Sequence, residues 1–167
     1  GVKEDGSLTN IVEVFNPRKN EWENVADLPI PISGYGLASY EGQIFLFGGW
    51  DGQKPLDSVW RYDPNTDTWH PGSPMLTARL HPAVLADGGK IYVMGGSDGV
   101  SKLSTNESYS PYIELEKENP WKVEPDLPEK LSGYTAIKLY DKVAVIGGKS
   151  VVSGAIDQFH YSTVQRE

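Results

Sequence analysis

IFLFGGWDG (residues 44–52) decides the fold, because an apolar run ends there on two glycines and an Asp-Gly turn. Glycine inside regular structure costs about 0.5–1 kcal/mol relative to alanine, so such an ending needs a reason. Three runs in the chain end this way, namely QIFLFGG, KIYVMGG and KVAVIGG. The pairs lie 47 and 52 residues apart, which predicts an internal repeat. They are Gly48 and Gly49, Gly95 and Gly96, and Gly147 and Gly148.

Aromatic residues keep the same register. A tyrosine follows each second glycine by thirteen residues, and a tryptophan marks the end of most repeats. The step from tyrosine to tryptophan is seven residues after Tyr62 and twelve after Tyr109, so five extra residues explain the longer spacing. The repeat therefore covers the whole chain, with Phe15 as its first aromatic landmark. The other landmarks are Tyr62, Tyr109 and Tyr161, and Trp22, Trp69 and Trp121.

Each repeat contains four short apolar or alternating stretches that read as strands. Strands within a repeat are expected to meet at tight turns, at Glu41 and Gly42 in one repeat and at Asp87 and Gly88 in the next. Helices are not expected, since prolines interrupt the Glu/Lys-rich stretch 113–131 and lack the donor a helix interior needs. We predict an all-β fold of four-stranded antiparallel propeller blades, part of a larger six- or seven-bladed propeller.

The order of strands divides the chain into segments. With strands lettered a to d from the propeller axis outward, the chain reads c–d, a–b–c–d, a–b–c–d and a–b–c. Val2 precedes Phe15 by thirteen residues, so it is assigned to the place of a second glycine. We expect a piece of a longer propeller, with the remaining blades supplied by the same parent chain or by another copy. The predicted segments are 1–29 (c–d of a cut blade), 30–76 and 77–128 (blades), and 129–167 (a–c of a cut blade).

These landmarks resemble the kelch-repeat family, within the galactose-oxidase-like superfamily. GGWDGQKPLDSVWRYDPNTDTW and GGSDGVSKLSTNESYSP…NPW lie close to its consensus, and the chain departs from it at Val2, Ser110, Ser162 and the insertion 110–119. The resemblance implies that residues recurring once per blade are structural. They are Gly48, Gly49, Gly95, Gly96, Gly147, Gly148, Tyr62, Tyr109, Trp22, Trp69 and Trp121.

Composition limits the function. The net charge of −8 disfavours nucleic-acid binding, which needs a basic surface. The chain has no cysteine, so thiol chemistry and cysteine-based zinc sites are not expected. We find no apolar run of membrane-spanning length and no signal peptide in this piece, so it is expected to be soluble. Cytoplasmic and secreted locations both stay open.

Motifs for catalysis are weak. GGKS (147–150) lacks the first glycine of a phosphate loop, because Val143 stands in its place. The three histidines, His70, His81 and His160, have no metal-binding spacing, and His81 is expected to fix a loop. Within the family, copper radical oxidases need a cysteine and specifier proteins need a Glu-x₃-Asp-x₃-His pattern, and neither is present. Mutarotase-like activity is not excluded. We therefore expect no catalytic residue, metal or cofactor, and leave enzymatic activity uncertain.

The resemblance implies that ligands dock where the b–c and d–a loops meet. Trp50 is the strongest candidate, because Ser97 and Lys149 replace it in the other repeats. Arg79 has Ile32 and Leu131 as equivalents, so a ring of arginines is not expected. We predict a non-catalytic module that binds a protein or peptide. The alternative is a carbohydrate-directed propeller, with Trp50, Tyr35 and Tyr134 as stacking platforms. The predicted binding residues are Trp50, Asp51, Gln53, Lys54, Arg79, Ser97, Asp98, Lys102, Tyr35, Tyr134 and Lys149.

Overall fold

The computed structural model describes residues 1–140, 142–150, 154–155 and 159–163. Part of the predicted segment 129–167, including its last four residues, lies outside this range. In chain order the elements are β1 (Val12–Asn16), β2 (Glu21–Val25), β3 (Gly36–Tyr40), β4 (Gln43–Phe47), β5 (Val59–Asp63), β6 (Thr68–Gly72), β7 (Ala83–Asp87), β8 (Lys90–Met94), β9 (Asn106–Tyr109), α1 (Pro111–Leu115), β10 (Trp121–Glu124), β11 (Leu131–Ser132), β12 (Thr135–Leu139), β13 (Lys142–Ile146), β14 (Lys149–Ser150), β15 (Gly154–Ala155) and β16 (Phe159–Thr163).

Consecutive strands pair antiparallel into separate sheets, which confirms the predicted all-β propeller fold. The first full blade has the order β3-β4-β5-β6, and the second full blade has the order β10-β9-β8-β7. The N-terminal sheet consists of β1 and β2, and the C-terminal sheet of β12, β13 and β16. Residues just before β12 and between β13 and β16 form a separate small sheet with the order β11-β14-β15. The innermost strands of neighbouring blades, β3, β7 and β12, pack against one another.

Strand b of the first full blade is buried on both faces, as its continuous apolar sequence predicts. Phe45 and Phe47 point into the interface with the second full blade, where they join Ile91 and Val93 in one core cluster. Leu46, between them, points the other way, into a cluster that the N-terminal segment shares. The first full blade is therefore held by apolar packing on both sides.

A second set of contacts joins the blades near their outer strands. The indole Nε1 of Trp69 donates to the carbonyl of Ala26 at 2.9 Å. The backbone N–H of Ala26 donates to the carboxylate of Asp67 at 2.8 Å, and the hydroxyl of Tyr62 donates to the same oxygen at 2.8 Å. The first full blade thus binds both backbone groups of the residue that directly follows outer strand β2. We call this arrangement an outer joint.

The outer joint recurs between the two full blades, with one component replaced. The indole of Trp121 donates to the carbonyl of Ser73 at 2.9 Å. The Ser73 N–H and the Tyr109 hydroxyl both donate to the carboxylate of Glu114, which lies on α1. The insertion 110–119 therefore supplies a glutamate in place of Asp67.

Helix α1 contradicts the prediction that the repeats contain no helix. The prolines of the 113–131 stretch lie beyond the helix, and Pro111 lies in its first turn. A proline is tolerated there because its missing N–H has no intrahelical acceptor. The helix is only five residues long and no residue in it is buried, so apolar periodicity gave no sign of it.

The predicted turn at Asp87 and Gly88 is wrong by one residue. Asp87 still belongs to β7, where it pairs with Lys90. The turn consists of Gly88 and Gly89, with φ of 57° and 81°. Positive φ at both central residues is the requirement of a two-residue hairpin turn that matches the strand twist.

The assignment of Val2 to a second glycine is also wrong, because Gly1 makes the corresponding contacts. The amino group of Gly1 donates to the Ile32 carbonyl at 2.5 Å, and the Gly1 carbonyl accepts from Thr9 at 3.0 Å. The N–H of Gly49 likewise donates to a carbonyl in the next d–a loop, and the carbonyl of Gly49 accepts an N–H from its own b–c loop. Both distances are 2.9 Å. The first b–c loop therefore contains one residue more than the later loops.

The outer joint makes a testable prediction. Trp69→Phe keeps an aromatic ring but removes the donor to Ala26, so it should lower the free energy of unfolding by about 1 kcal/mol. The matched control is Trp22→Phe, at the same position of the N-terminal sheet, where the side chain is 68% exposed. Urea unfolding of the two variants measures both effects, and an equal loss in each would contradict the role of the Trp69 hydrogen bond.

Asp67 should make the stability depend on pH. Hydrogen bonds from Ala26 first and from Tyr62 second hold the pKa of Asp67 below its usual value of 3.8. A lowered pKa in the folded state contributes stability above that value, which is lost as the pH falls through the folded pKa. Asp67→Asn should therefore be destabilising at pH 7, with a smaller difference from the wild type below about pH 4. Urea unfolding at both pH values measures this, and a pH-independent difference would refute it.

Candidate functional site

The glycine pair at the end of each strand b positions the following loop. Gly48 and Gly49 have φ of 63° and 106°, a region that glycine adopts without a steric penalty. A Cβ on Gly48 would lie 2.3 Å from the carbonyl oxygen of Arg79, and one on Gly49 would lie 2.7 Å from that of Ser33. The b–c loop thus leaves the sheet in direct backbone contact with two d–a links.

The residue after each glycine pair is fixed by backbone pairing on both sides. In the first full blade, Trp50 pairs with Ser33 of the d–a link and with Pro55 of its own loop. The same two kinds of pairing recur in the next two repeats. They join Ser97 to Leu80 and Lys102, and Lys149 to Ser132 and Ala155.

Loops of neighbouring repeats also contact each other. A Cβ on Gly99 would lie 3.0 Å from the ring of Pro55, and one on Gly52 would lie 3.7 Å from Leu8. The b–c loops therefore form one row across the blades. We call this row, with the d–a links beside it, the loop face; it comprises the loops 1–9, 49–56 and 96–103, residues 147–150, and the links 32–35, 79–82 and 131–134.

Two aspartates shape the loop face from within. The Asp51 carboxylate accepts the backbone N–H groups of Gln53 and Lys54, both at 2.8 Å. The Asp98 carboxylate accepts those of Val100 and Ser101, at 2.9 and 2.6 Å. These bonds, from Lys54 and from Ser101 foremost, lower the pKa values of Asp51 and Asp98.

Ser97 adds to the same framework. Its hydroxyl donates to the carbonyl of Ser101 at 2.9 Å and accepts the N–H of Gly99 at 3.1 Å. The predicted site residues Asp51, Asp98 and Ser97 thus have internal hydrogen-bond partners that set the loop conformation.

Other predicted residues lie at the surface of the loop face. Gln53, Lys54 and Lys149 are exposed, whereas Trp50 and Lys102 are half-buried. Val100, 95% exposed, was missed from the sequence, since an aliphatic residue in a loop resembles neither a polar ligand contact nor an aromatic one. The surface of the loop face therefore presents an amide, ammonium groups and an aliphatic side chain.

Arg79 is not at the surface, contrary to the prediction. It is fully buried, and its guanidinium donates to the Gly95 carbonyl at 2.7 Å and to the Glu107 carboxylate at 2.5 Å. Glu107 is 2% exposed, and its other oxygen accepts the N–H of Leu76 at 2.7 Å. The reason for the error is that this position faces the core in every repeat, as the burial of the equivalent Ile32 and Leu131 shows.

The aromatic platform proposed for a sugar does not form at the surface. Tyr134 is 7% exposed and packs with Ala83 and Met94 in a core cluster. Burial raises the pKa of its hydroxyl, which has no hydrogen-bond partner among the described residues. Tyr35 packs against the cluster of Leu28, Ile32, Leu46 and Leu56.

His81 links the d–a connections of three repeats. It has a φ of 51°, whereas the equivalent residues Gly34 and Gly133 have φ of 62° and 64°. Its N–H donates to the Gly34 carbonyl at 2.6 Å, and its own carbonyl accepts from Gly133 at 3.2 Å. No group of three or more His, Asp or Glu residues within the described part of the chain is arranged to hold a metal ion.

The buried Arg79–Glu107 pair should stabilise the second full blade only as a pair. Arg79→Met should cost about 3–5 kcal/mol, because it leaves an unpaired carboxylate in the interior. Arg79→Met combined with Glu107→Gln should recover most of that loss, since the amide stays neutral and still accepts from Leu76. Lys19→Met, which breaks an exposed pair with Glu23, is the control and should cost far less, because solvent screens an exposed ion pair. Urea unfolding of these variants tests the pairing, and a double variant as unstable as Arg79→Met would contradict it.

Comparison with known proteins gives consistent matches. A family model described as Kelch motif matches residues 1–29, 31–76 and 78–128. Kelch-like protein 35 of Mus musculus is 32% identical over 82% of this chain and 23% of its own length, and Kelch-like protein 23 of Homo sapiens is 31% identical over 82% and 24%. Kelch-like protein 36 of Rattus norvegicus is 30% identical over 95% and 26%. The chain thus spans about a quarter of the length of these relatives.

A solved structure described as "Structure of YjhT" superposes on the chain with a TM-score of 0.79. It covers 99% of this chain and 52% of its own, at 13% sequence identity, which supports the fold alone. Among the described residues, no helix is long and apolar enough to cross a membrane.

Proposed function

The chain belongs to the kelch-repeat β-propeller family, and on that premise we propose that its loop face recognises another protein. The observation that supports this most is a contrast within the loop face. The backbone pairing at Trp50, Ser97 and Lys149 repeats from blade to blade, while the side chains at these positions differ completely. A rigid framework whose side chains vary from blade to blade is the usual arrangement of a recognition surface.

The exposed groups suit a protein partner. Gln53 and Lys54 lie on one b–c loop, and Val100 and Ser101 lie at corresponding places on the loop that contacts it. An aliphatic side chain beside an amide and an ammonium group complements a surface that offers an apolar residue next to carboxylates. We place the centre of recognition at these two loops, with Trp50 as their half-buried support.

We propose recognition without catalysis, because the charged side chains near the loop face that could take part in a reaction are held in structural contacts. The guanidinium of Arg79 and the carboxylate of Glu107 neutralise each other in the interior. The carboxylates of Asp51 and Asp98 accept backbone N–H groups of their own loops. A carbohydrate partner is less favoured, since Tyr134 lies in the core and cannot stack on a sugar.

The test compares two variants of the chain in affinity capture from a cell extract, read out by mass spectrometry. The first carries Gln53→Ala, Lys54→Ala and Val100→Ser on the loop face. The matched control carries Asn65→Ala and Arg18→Ala, which remove an amide and a cation from exposed turns between strands c and d. Loss of central contacts should weaken capture of a specific partner by about tenfold or more in the first variant, with the control unchanged.

The same proteins should also be applied to a glycan array. Capture that both variants retain equally would reject the loop face as the recognition surface. The carbohydrate alternative would be favoured instead if glycan binding is saturable and is abolished by Trp50→Ala, and if the loop-face variant weakens the capture of no protein.

A further inference from the structure

The outer strand of the second full blade, β10, is the edge of its sheet. An edge strand pairs on one side only, so alternate residues direct their backbone N–H and C=O groups out of the sheet. The N–H of Ser110 donates to the carbonyl of the opposite residue, Pro120, at 2.9 Å. Because hydrogen-bonded pairs alternate along antiparallel strands, Ser108 and Lys122 form the next bonded pair. The backbone groups of Val123 therefore point outward.

Val123 has a donor that its neighbours at the edge lack. Trp121 also points outward, but its N–H donates to the side chain of Asn119 at 3.0 Å. Pro125, the next outward position, has no N–H, and its carbonyl accepts the side-chain amide of Asn106 at 2.6 Å. Among the described residues, Val123 is therefore the one outward position of this edge whose N–H is not already used.

The equivalent edges of the preceding sheets are protected against pairing. Pro71 and Val123 each follow the tryptophan of their strand by two residues, and the proline removes the outward N–H of β6. In β2 this position holds Asn24, and a copy paired there would place Glu21 opposite Asp27. Prolines and repelling charges are the usual protection of an edge strand, and the centre of β10 has neither.

The sequence around Val123 complements itself. If two copies of β10 run antiparallel with Val123 opposite Val123, each Lys122 lies opposite Glu124 of the second copy. Opposite charges directly across two strands stabilise a sheet, and like charges destabilise it. Lys122 is exposed, and the carboxylate of Glu124 is held by the hydroxyl of Ser108 at 2.7 Å. A two-fold axis through Val123 therefore creates the same favourable ion pair twice.

Bulky apolar side chains accompany this edge. Val123 is 69% exposed, and Tyr112 and Leu115 of α1 are 66% and 70% exposed. Helix α1 is fixed beside the start of β10, because Tyr109, which pairs with the first residue of β10, donates to its Glu114. In an antiparallel pair the start of one strand meets the end of the other. Each α1 would therefore lie beside the partner's strand and add apolar area to the contact.

We propose that β10 is a self-association edge, at which a second copy of this chain pairs antiparallel through its own β10. The two Val123 residues exchange N–H···O=C bonds across the two-fold axis, and each Lys122 faces Glu124 of the second copy. Pairing ends on both sides, because the N–H of Trp121 is used and Pro125 has none, and this fixes the register. The contact joins blades edge to edge, unlike the packing of blade faces within a propeller, and it does not depend on the proposed recognition function.

Cysteine cross-linking tests the contact, because the chain has no cysteine of its own. Opposite residues of a hydrogen-bonded antiparallel pair have Cα atoms about 5.5 Å apart, within the range of a disulfide. With copper–phenanthroline as the oxidant, Val123→Cys should form a disulfide-linked dimer. The matched control is Asn24→Cys, at the same position of β2, which should cross-link about tenfold more slowly or less.

Charge reversal tests the register. Lys122→Glu, added to Val123→Cys, places like charges opposite each other twice, so cross-linking should slow by about tenfold. Glu124→Lys, added to Val123→Cys, should have the same effect. A mixture of these two charge variants restores both favourable pairs, so mass spectrometry should find the mixed dimer in excess over the two symmetric dimers.

A second measurement applies if Glu124→Lys does not fold, which urea unfolding would reveal, since this change removes the contact with Ser108. Salt then takes its place. Added salt should slow the cross-linking of Val123→Cys and speed that of its Lys122→Glu form, because screening weakens attraction and repulsion alike.

Three results would overturn the proposal. Equal rates for the cysteines at positions 123 and 24 would indicate collision or contact through other surfaces of the chain. A rate that neither Lys122→Glu nor salt alters would exclude this register. No dimer of Val123→Cys would exclude a second copy and would leave a strand of another protein as the occupant.

Discussion

Close approach of one blade's backbone to the next is the constraint on which the structure depends. At the end of β4, Gly48 and Gly49 lie so near the carbonyls of Arg79 and Ser33 that a Cβ would overlap them. Gly95 and Gly96 approach the carbonyls of Leu131 and Leu80 in the same way. These approaches place each b–c loop against two d–a links, and the loop face follows from that placement.

The outer joints complete the inner contacts. Glycines fix the blades near the loop face, and the tryptophan and carboxylate fix them near the outer strands, so each pair of blades is held at separated points. The second full blade shows that the carboxylate can come from different parts of the chain, because Glu114 reaches its position from an inserted helix. What the joint requires is an oxygen atom at one point in space, whatever the backbone that supplies it.

The sequence was sufficient for the blades because their determinants recur. The glycine pairs and aromatic residues repeat at a fixed spacing, so strand order and the buried character of strand b could be predicted. Two of the errors concern features without a repeat. The contacts of Gly1 depend on Ile32, far away in sequence, and α1 is too short to show a periodic pattern. Arg79 was misplaced because its position in a d–a loop suggested the ligand-binding face, whereas its buried partner Glu107 could not be identified from spacing.

The outer joint recognises Ala26 and Ser73 through their peptide groups alone, and this has a consequence for how the protein can change. Both hydrogen bonds at these two positions use the backbone N–H and carbonyl. Many small side chains are therefore compatible with the same blade order, whereas proline, which has no N–H, is not. The residues that directly follow the outer strands can therefore differ in sequence without disturbing the contacts between blades. Side chains at these positions can therefore change while the order in which the blades pack stays the same.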